Sequence, residues 1–215
     1  MKSKIGLTSA FVALFAAFIC IGCFLKIPLG PVPIVLQNGL CILCAVLLGG
    51  WKGCLPVALW LLVGLIGLPV YSGGSSGIAV WIGPTGGFLP GYFIGALIAG
   101  LIAGRPSVEE KKPSLGLVIK ITIATLAGMI ILYIPGLIHF AHWALGSSKV
   151  PQDKTLFAYV MGSCCLPFLP GDAIKCAVII PVALKLRPVL AQYLEKNTNN
   201  LNTRESKEYD SSLES

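Results

Sequence analysis

The chain has 215 residues, 55% of them hydrophobic and only 12% charged, with a formal net charge of +7. A mean hydropathy of +0.84 excludes an ordinary soluble domain, in which about a quarter of residues are charged. The basic residues are scattered over short segments between apolar runs, which reads as a topology signal and not as a nucleic-acid surface.

A hydrocarbon core of about 30 Å takes about 20 apolar residues per helix, so the chain has room for about six spans. The expected fold is all-α: a polytopic membrane protein with a single six-helix domain over residues 1–194. Residues 195–215, rich in Asn, Ser and Glu, are expected to form a disordered cytoplasmic tail.

The first span covers 5–25; it is longer than a signal-peptide core, and no Ala-x-Ala site follows it. Its small residues Ser9, Ala13 and Ala17 recur every four positions, a flat stripe suited to internal packing or to docking of a second membrane subunit. Residues 26–37 (K-I-P-L-G-P-V-P-I-V-L-Q) carry three prolines. They cannot be regular helix, and irregular backbone at a membrane boundary lines a cavity or is buried in protein. Gln37 enters the membrane beside it.

A short second span ends near Gly49, a tight turn carries Trp51 and Lys52, and a third span ends near Gly67. Residues 68–87 form an uncharged glycine-rich loop that also carries Tyr71 and Trp81. Such a loop either folds over the mouth of a bundle or lies at the interface with aromatic anchors. The fourth span (87–104) sets Gly87, Gly91, Gly95, Ala99 and Ala103 at four-residue spacing, for close helix packing. The fifth covers 115–133 and extends towards Trp143, with a kink at Pro135. A short helix over 155–166 precedes the sixth span, 172–186.

Lys2, Lys4, Lys52, Arg105, Lys111, Lys112, Lys185 and Arg187 flank one side, against Lys26, Lys149 and Lys154 on the other. The positive-inside rule then puts both termini in the cytoplasm, with multi-pass topology in the cell membrane. The proline segment, the glycine loop and the start of the sixth span converge on the outer side.

Cys20-x-x-Cys23 and Cys41-x-x-Cys44 have zinc-ligand spacing, but they lie in apolar helices without polar company and read as small hydrophobes. No metal site is expected. His139 and His142 share a helix face beside Trp143 and read as interfacial. Ser163 with one of them would be an intramembrane hydrolase, although the Gly-x-Ser-x-Gly turn is absent.

The strongest pair is Asp172 and Lys175, one turn apart in P-F-L-P-G-D-A-I-K (167–175), with Asp172 at an N-cap position and no other buried charge expected. They are either a mutual ion pair or the polar end of a ligand pocket. A carboxylate accepts from N–H groups and an ammonium pairs with a carboxylate. The complementary ligand has amide-like N–H groups, an apolar body and a free carboxylate.

Four blocks in order, G-P-V-P-I-V-L-Q (30–37), G-L-I-G-L-P-V-Y-S-G-G (64–74), G-P-T-G-G-F (83–88) and P-F-L-P-G-D-A-I-K, resemble the BioY family, the biotin-binding S components of energy-coupling-factor (ECF) transporters. The resemblance runs from about Ile5 to Arg187 and departs at Asn38, where a small hydroxylic residue is expected. It implies an S-component bundle that captures biotin from outside without covalent chemistry. It also implies a transmembrane coupling subunit and a pair of ABC-type ATPases as partners, with Ser9, Ala13 and Ala17 as the docking stripe. Biotin, with its ureido N–H groups, thioether bicycle and carboxylate arm, matches the complementarity above. Asp172 and Lys175 carry over as ligand contacts, with Gln37, Tyr71, Thr85 and Tyr92 lining the pocket. No cofactor is implied. The alternatives are another vitamin or a biotin precursor on the same fold, an intramembrane enzyme, or a homo-oligomer that works alone.

Overall fold

The computed structural model describes the backbone of residues 2–27 and 34–213, and the side chains of 6–25 and 35–195. Helix α1 (Lys2–Ile21) passes through a 3-10 turn (Gly22–Phe24) into strand β1 (Lys26–Ile27), which pairs antiparallel with β2 (Ile34–Val35). The prolines between the strands lie outside the described residues, as do the side chains of Lys2, Lys4 and Lys26. Then follow α2 (Gln37–Leu48), a 3-10 turn (Gly50–Cys54), α3 (Leu55–Leu65), α4 (Ile78–Ile82) and α5 (Phe88–Ala103). A 3-10 turn (Val108–Lys111), α6 (Leu115–Gly146), α7 (Leu156–Cys164) and α8 (Leu169–Leu213) complete the chain. Among the described residues six helices have eleven residues or more, which fits the expected number of spans. Two stretches, Gly6–Phe24 and Leu115–Gly146, are long and apolar enough to cross a membrane.

Packing follows from residue size. On α5, Gly87, Gly91, Gly95, Ala99 and Ala103 are all buried. A Cβ at Gly91 would strike the Leu132 carbonyl of α6, and one at Gly95 would stand 2.6 Å from the Gly128 carbonyl. This stripe is consumed inside the bundle, where bare backbone lets two helices approach closely. It therefore gives no support to a homo-oligomer. On α1 the faces divide: Ala16 and Ile19 are buried, while Ser9, Ala13 and Ala17 are exposed.

At one end of the bundle, α2 and α5 each stop at a glycine of positive φ, Gly49 (φ 62°, ψ 167°) and Gly104 (φ 66°, ψ 178°), a backbone conformation essentially open to glycine alone. Arg187 of α8 lies across both ends with 0% of its side chain exposed. Its Nη1 donates to the Val46 carbonyl at 2.6 Å, and Nη2 donates to the Ala103 and Arg105 carbonyls, each at 3.2 Å. Its Nε and Nη2 also grip the Glu110 carboxylate at 2.8 and 2.9 Å. The carbonyls that a helix leaves unpaired at its C-terminus thus meet a cation of favourable sign.

Helix α6 continues past Pro135 towards Trp143, as expected, and ends at Gly146. Four expectations change. The loop over 68–87 contains α4. Asp172 is not an N-cap: α8 starts at Leu169, because Pro170 in the first turn lacks only an N–H that needs no intrahelical partner, and the Asp172 N–H donates to the Phe168 carbonyl at 2.9 Å. Asp172 and Lys175 are not the only buried charges, since Arg187 is another. Finally, the tail continues α8 to Leu213; no proline or glycine follows Pro188 to stop it.

Candidate functional site

At the opposite end from Arg187, helices α2, α3, α5, α6 and α8 and the 68–87 loop surround a cavity of about 130 Å³. Its body is aromatic. Trp60 meets Tyr71 edge-on and Tyr92 at a tilt, both with ring centroids 5.5 Å apart, and Phe88 meets Tyr133 edge-on at 6.1 Å. Of the residues expected here, Gln37, Tyr71, Thr85, Tyr92 and Lys175 line this cavity.

The loop is pinned by polar bonds. Both amide hydrogens of Gln37 are used, Nε2 donating to the carbonyls of Ile19 at 3.2 Å and Val70 at 2.8 Å. Trp60 Nε1 donates to the same Val70 carbonyl at 2.9 Å. Tyr71 packs against the bare face of Gly64; its hydroxyl donates to the Leu61 carbonyl at 2.5 Å and accepts from Trp81 Nε1 at 3.1 Å. Burial pushes the Tyr71 phenol up, only partly offset by the Trp81 bond, so it stays a neutral donor. His139, expected at the interface, instead donates from Nε2 to the Gly83 carbonyl at 2.9 Å, behind α4, while His142 is exposed. Gln37 and Tyr71 therefore shape the wall while their donors hold the loop.

The polar wall is built on α8 and α2. Lys175 Nζ donates to the Val35 carbonyl at 2.7 Å and to Asn38 Oδ1 and Asp172 Oδ1, both at 2.8 Å, which accounts for each of its N–H donors. Asp172 Oδ1 also accepts from Asn38 Nδ2 at 2.9 Å, and the Tyr133 hydroxyl donates to Asp172 Oδ2. Asp172 is 6% exposed and is not part of the cavity lining; it backs Lys175 and borders an apolar groove between α6 and α8 on the far side. Ser72 also lines the cavity, and its Oγ is, among the described residues, the buried side-chain polar atom with no partner.

Sequence reasoning missed Asn38, Ser72, Trp60 and Tyr133 as parts of this site. Asn38 was visible only as a departure from a pattern, and Ser72 was hidden among the other serines of the loop. Cys20, Cys23, Cys41 and Cys44 are free thiols, and no cluster of His, Cys, Asp or Glu with metal-site geometry occurs among the described residues. No hydrogen bond joins Ser163 to either histidine among the described residues, and His139 Nε2 is taken by Gly83.

Long apolar helices, an interior of small-residue contacts and a cavity with a half-buried cation in its wall define an all-α membrane protein built to enclose a small molecule. The sequence profile described as "BioY family" matches residues 2–192, and the chain belongs to that family. It is 37% identical over 195 residues to the "Biotin transporter BioY" of Rhodobacter capsulatus, covering 90% of this chain and 95% of that one. It is 36% identical over 174 residues to the "Biotin transporter BioY" of Thermotoga maritima, covering 81% and 92%. Among solved structures it is similar to the crystal structure, at 2.1 Å, of "the S-component for biotin from an ECF-type ABC transporter". That match has a TM-score of 0.66 and 30% identity, and covers 87% of this chain and 94% of that one.

Proposed function

We propose that the chain is the biotin-binding S component of an ECF-type transporter, a multi-pass subunit of the cell membrane with both termini in the cytoplasm. The observation that carries this is the aromatic cavity with the Lys175 ammonium and the Ser72 hydroxyl in its wall, in a chain of this family. The cavity opens towards the outer side, and the Arg187 end faces the cytoplasm. The aromatic body takes the thioether bicycle and the aliphatic arm of biotin. Lys175 is the cationic contact, Ser72 Oγ finds its missing partner on the ligand, and Asp172 acts as the counter-ion that makes a buried ammonium tolerable. Gln37, Tyr71, Thr85 and Tyr92 form the surrounding wall. Binding needs no covalent step, so the subunit is not an enzyme. Energy comes from a pair of ABC-type ATPases through a coupling subunit that docks on Ser9, Ala13 and Ala17.

Calorimetric titration of the purified protein, freed of bound ligand, tests the binding reading. One saturable site for biotin, weakened about a hundredfold in Lys175→Met with the fold retained, is expected; absence of both heat and thermal stabilisation by biotin overturns it. Ala13→Leu is expected to leave the titration unchanged and to prevent co-purification with the coupling subunit.

A further inference from the structure

We propose that Asn38 is the positioning residue of the ligand site, holding the Lys175 ammonium and the Asp172 carboxylate in register with the cavity. The role in binding rests on the reading above; the geometry does not. Asn38 is the second residue of α2 and is 6% exposed. A carboxamide carries a donor group and an acceptor at opposite ends, and here both ends are used on the same pair: Nδ2 donates to Asp172 Oδ1 and Oδ1 accepts from Lys175 Nζ. The Gly39 N–H donates to the same Oδ1 at 2.9 Å, fixing the plane of the amide from behind.

The lysine stem is guided as well. Its Cδ would be 3.2 Å, and its Cγ 3.4 Å, from a Cβ placed on Gly39. The consecutive residues Asn38 and Gly39 therefore form the seat for Lys175: the glycine accommodates the methylenes and the asparagine receives the charge. A lysine side chain is rich in rotamers, and fixing it before the ligand arrives removes that ordering cost from binding.

Only a carboxamide serves both roles, that of Asn or of the longer Gln. Aspartate would set a carboxylate against Asp172, leucine would leave both polar groups short of a partner, and a short hydroxyl has less reach towards either. An anionic ligand group entering the cavity competes with two neutral carbonyl oxygens, those of Val35 and Asn38, for the ammonium. It prevails because charge-assisted bonds are the stronger ones. Asn38 then keeps its Nδ2 bond to Asp172, so the counter-ion stays in place while the lysine changes partner.

The test compares wild type, Asn38→Leu, Asn38→Thr, Lys175→Met and the double variant Asn38→Leu/Lys175→Met in detergent. The first readout needs no ligand: reductive methylation of Lys175, followed by peptide mass spectrometry and normalised to the exposed Lys120 and Lys149. Methylation is expected several-fold faster in Asn38→Leu, and faster in Asn38→Thr, than in wild type. The second is biotin titration. Asn38→Leu is expected to bind about tenfold more weakly, because the ammonium is no longer held in place before the ligand arrives, and to cost nothing further on top of Lys175→Met. A merely structural asparagine would give additive losses in that cycle and an unchanged methylation rate, and either outcome overturns the proposal. If Leu does not fold, Asn38→Thr decides on the same two readouts. If wild type takes up no biotin, the transport reading fails and the methylation comparison decides the positioning role alone.

Discussion

Helix α8 supplies the cation of two ion pairs, Lys175 and Arg187, about 18 Å apart along the helix at 1.5 Å per residue, and the two are used differently. Arg187 spends its guanidinium on helix-end carbonyls and a forked contact with Glu110. It leaves nothing for a ligand and borders no cavity described here. Lys175 is also fully bonded, but two of its acceptors are neutral carbonyl oxygens that an anion can outcompete, and it faces open space beside an unpartnered hydroxyl. A buried charge by itself therefore does not mark a site. What marks it is adjoining space together with bonds weak enough to exchange.

The sharpest way to break this comparison is Arg187→Met. Removing one partner of a buried pair costs about 3–5 kcal/mol, so thermal unfolding is expected to show a severe loss of stability, with biotin affinity of the folded fraction unchanged. A large affinity loss at intact stability would mean that the two ends are not divided as described. Lys175→Met leaves Asp172 with only its Asn38 and Tyr133 donors and so should also lower stability, but unlike Arg187→Met it should weaken biotin as well, by about a hundredfold, or about 2.7 kcal/mol. Ser72→Ala comes next. Its hydroxyl has no protein partner, so stability should hold or rise slightly, while affinity falls by about fivefold for one neutral hydrogen bond. Equal affinity would remove Ser72 from the site. The smallest effect is expected for Trp81→Phe, which deletes the donor to Tyr71. Stopped-flow release of biotin should quicken a few-fold with little change in the association rate, because the loop loses one tether and no ligand contact.

Much of the helical architecture was legible. The apolar runs located α2, α5 and α7 to within a residue or two of their ends, helped by the glycines that flank two of them, Gly49 after α2 and Gly87 and Gly104 around α5. The stripe of α5 was read correctly as packing because small residues at four-residue spacing have few other uses. Asp172 and Lys175 were legible as a pair from their spacing, but not that Asp172 takes bonds from α2 and α6 and stands outside the cavity lining. Arg187 was read as a topology signal. Its burial depends on the ends of α2 and α5, which nothing near Arg187 in the chain announces. His139 was misplaced for the same reason, its partner Gly83 lying in another segment.

By itself the sequence determined the membrane class, the order and approximate limits of the helices, the family and the acid–base pair. These follow from composition, period and local spacing, each set by neighbours along the chain. Only the tertiary structure decided which polar groups remain available. Gln37 and Tyr71 spend their donors on the loop, Asn38 spans the ion pair, and Ser72 Oγ is, among the described residues, the buried side-chain polar atom left unmatched. The physical reason is that a hydrogen-bonding group has few valences, and whether they are filled depends on partners brought from far along the chain.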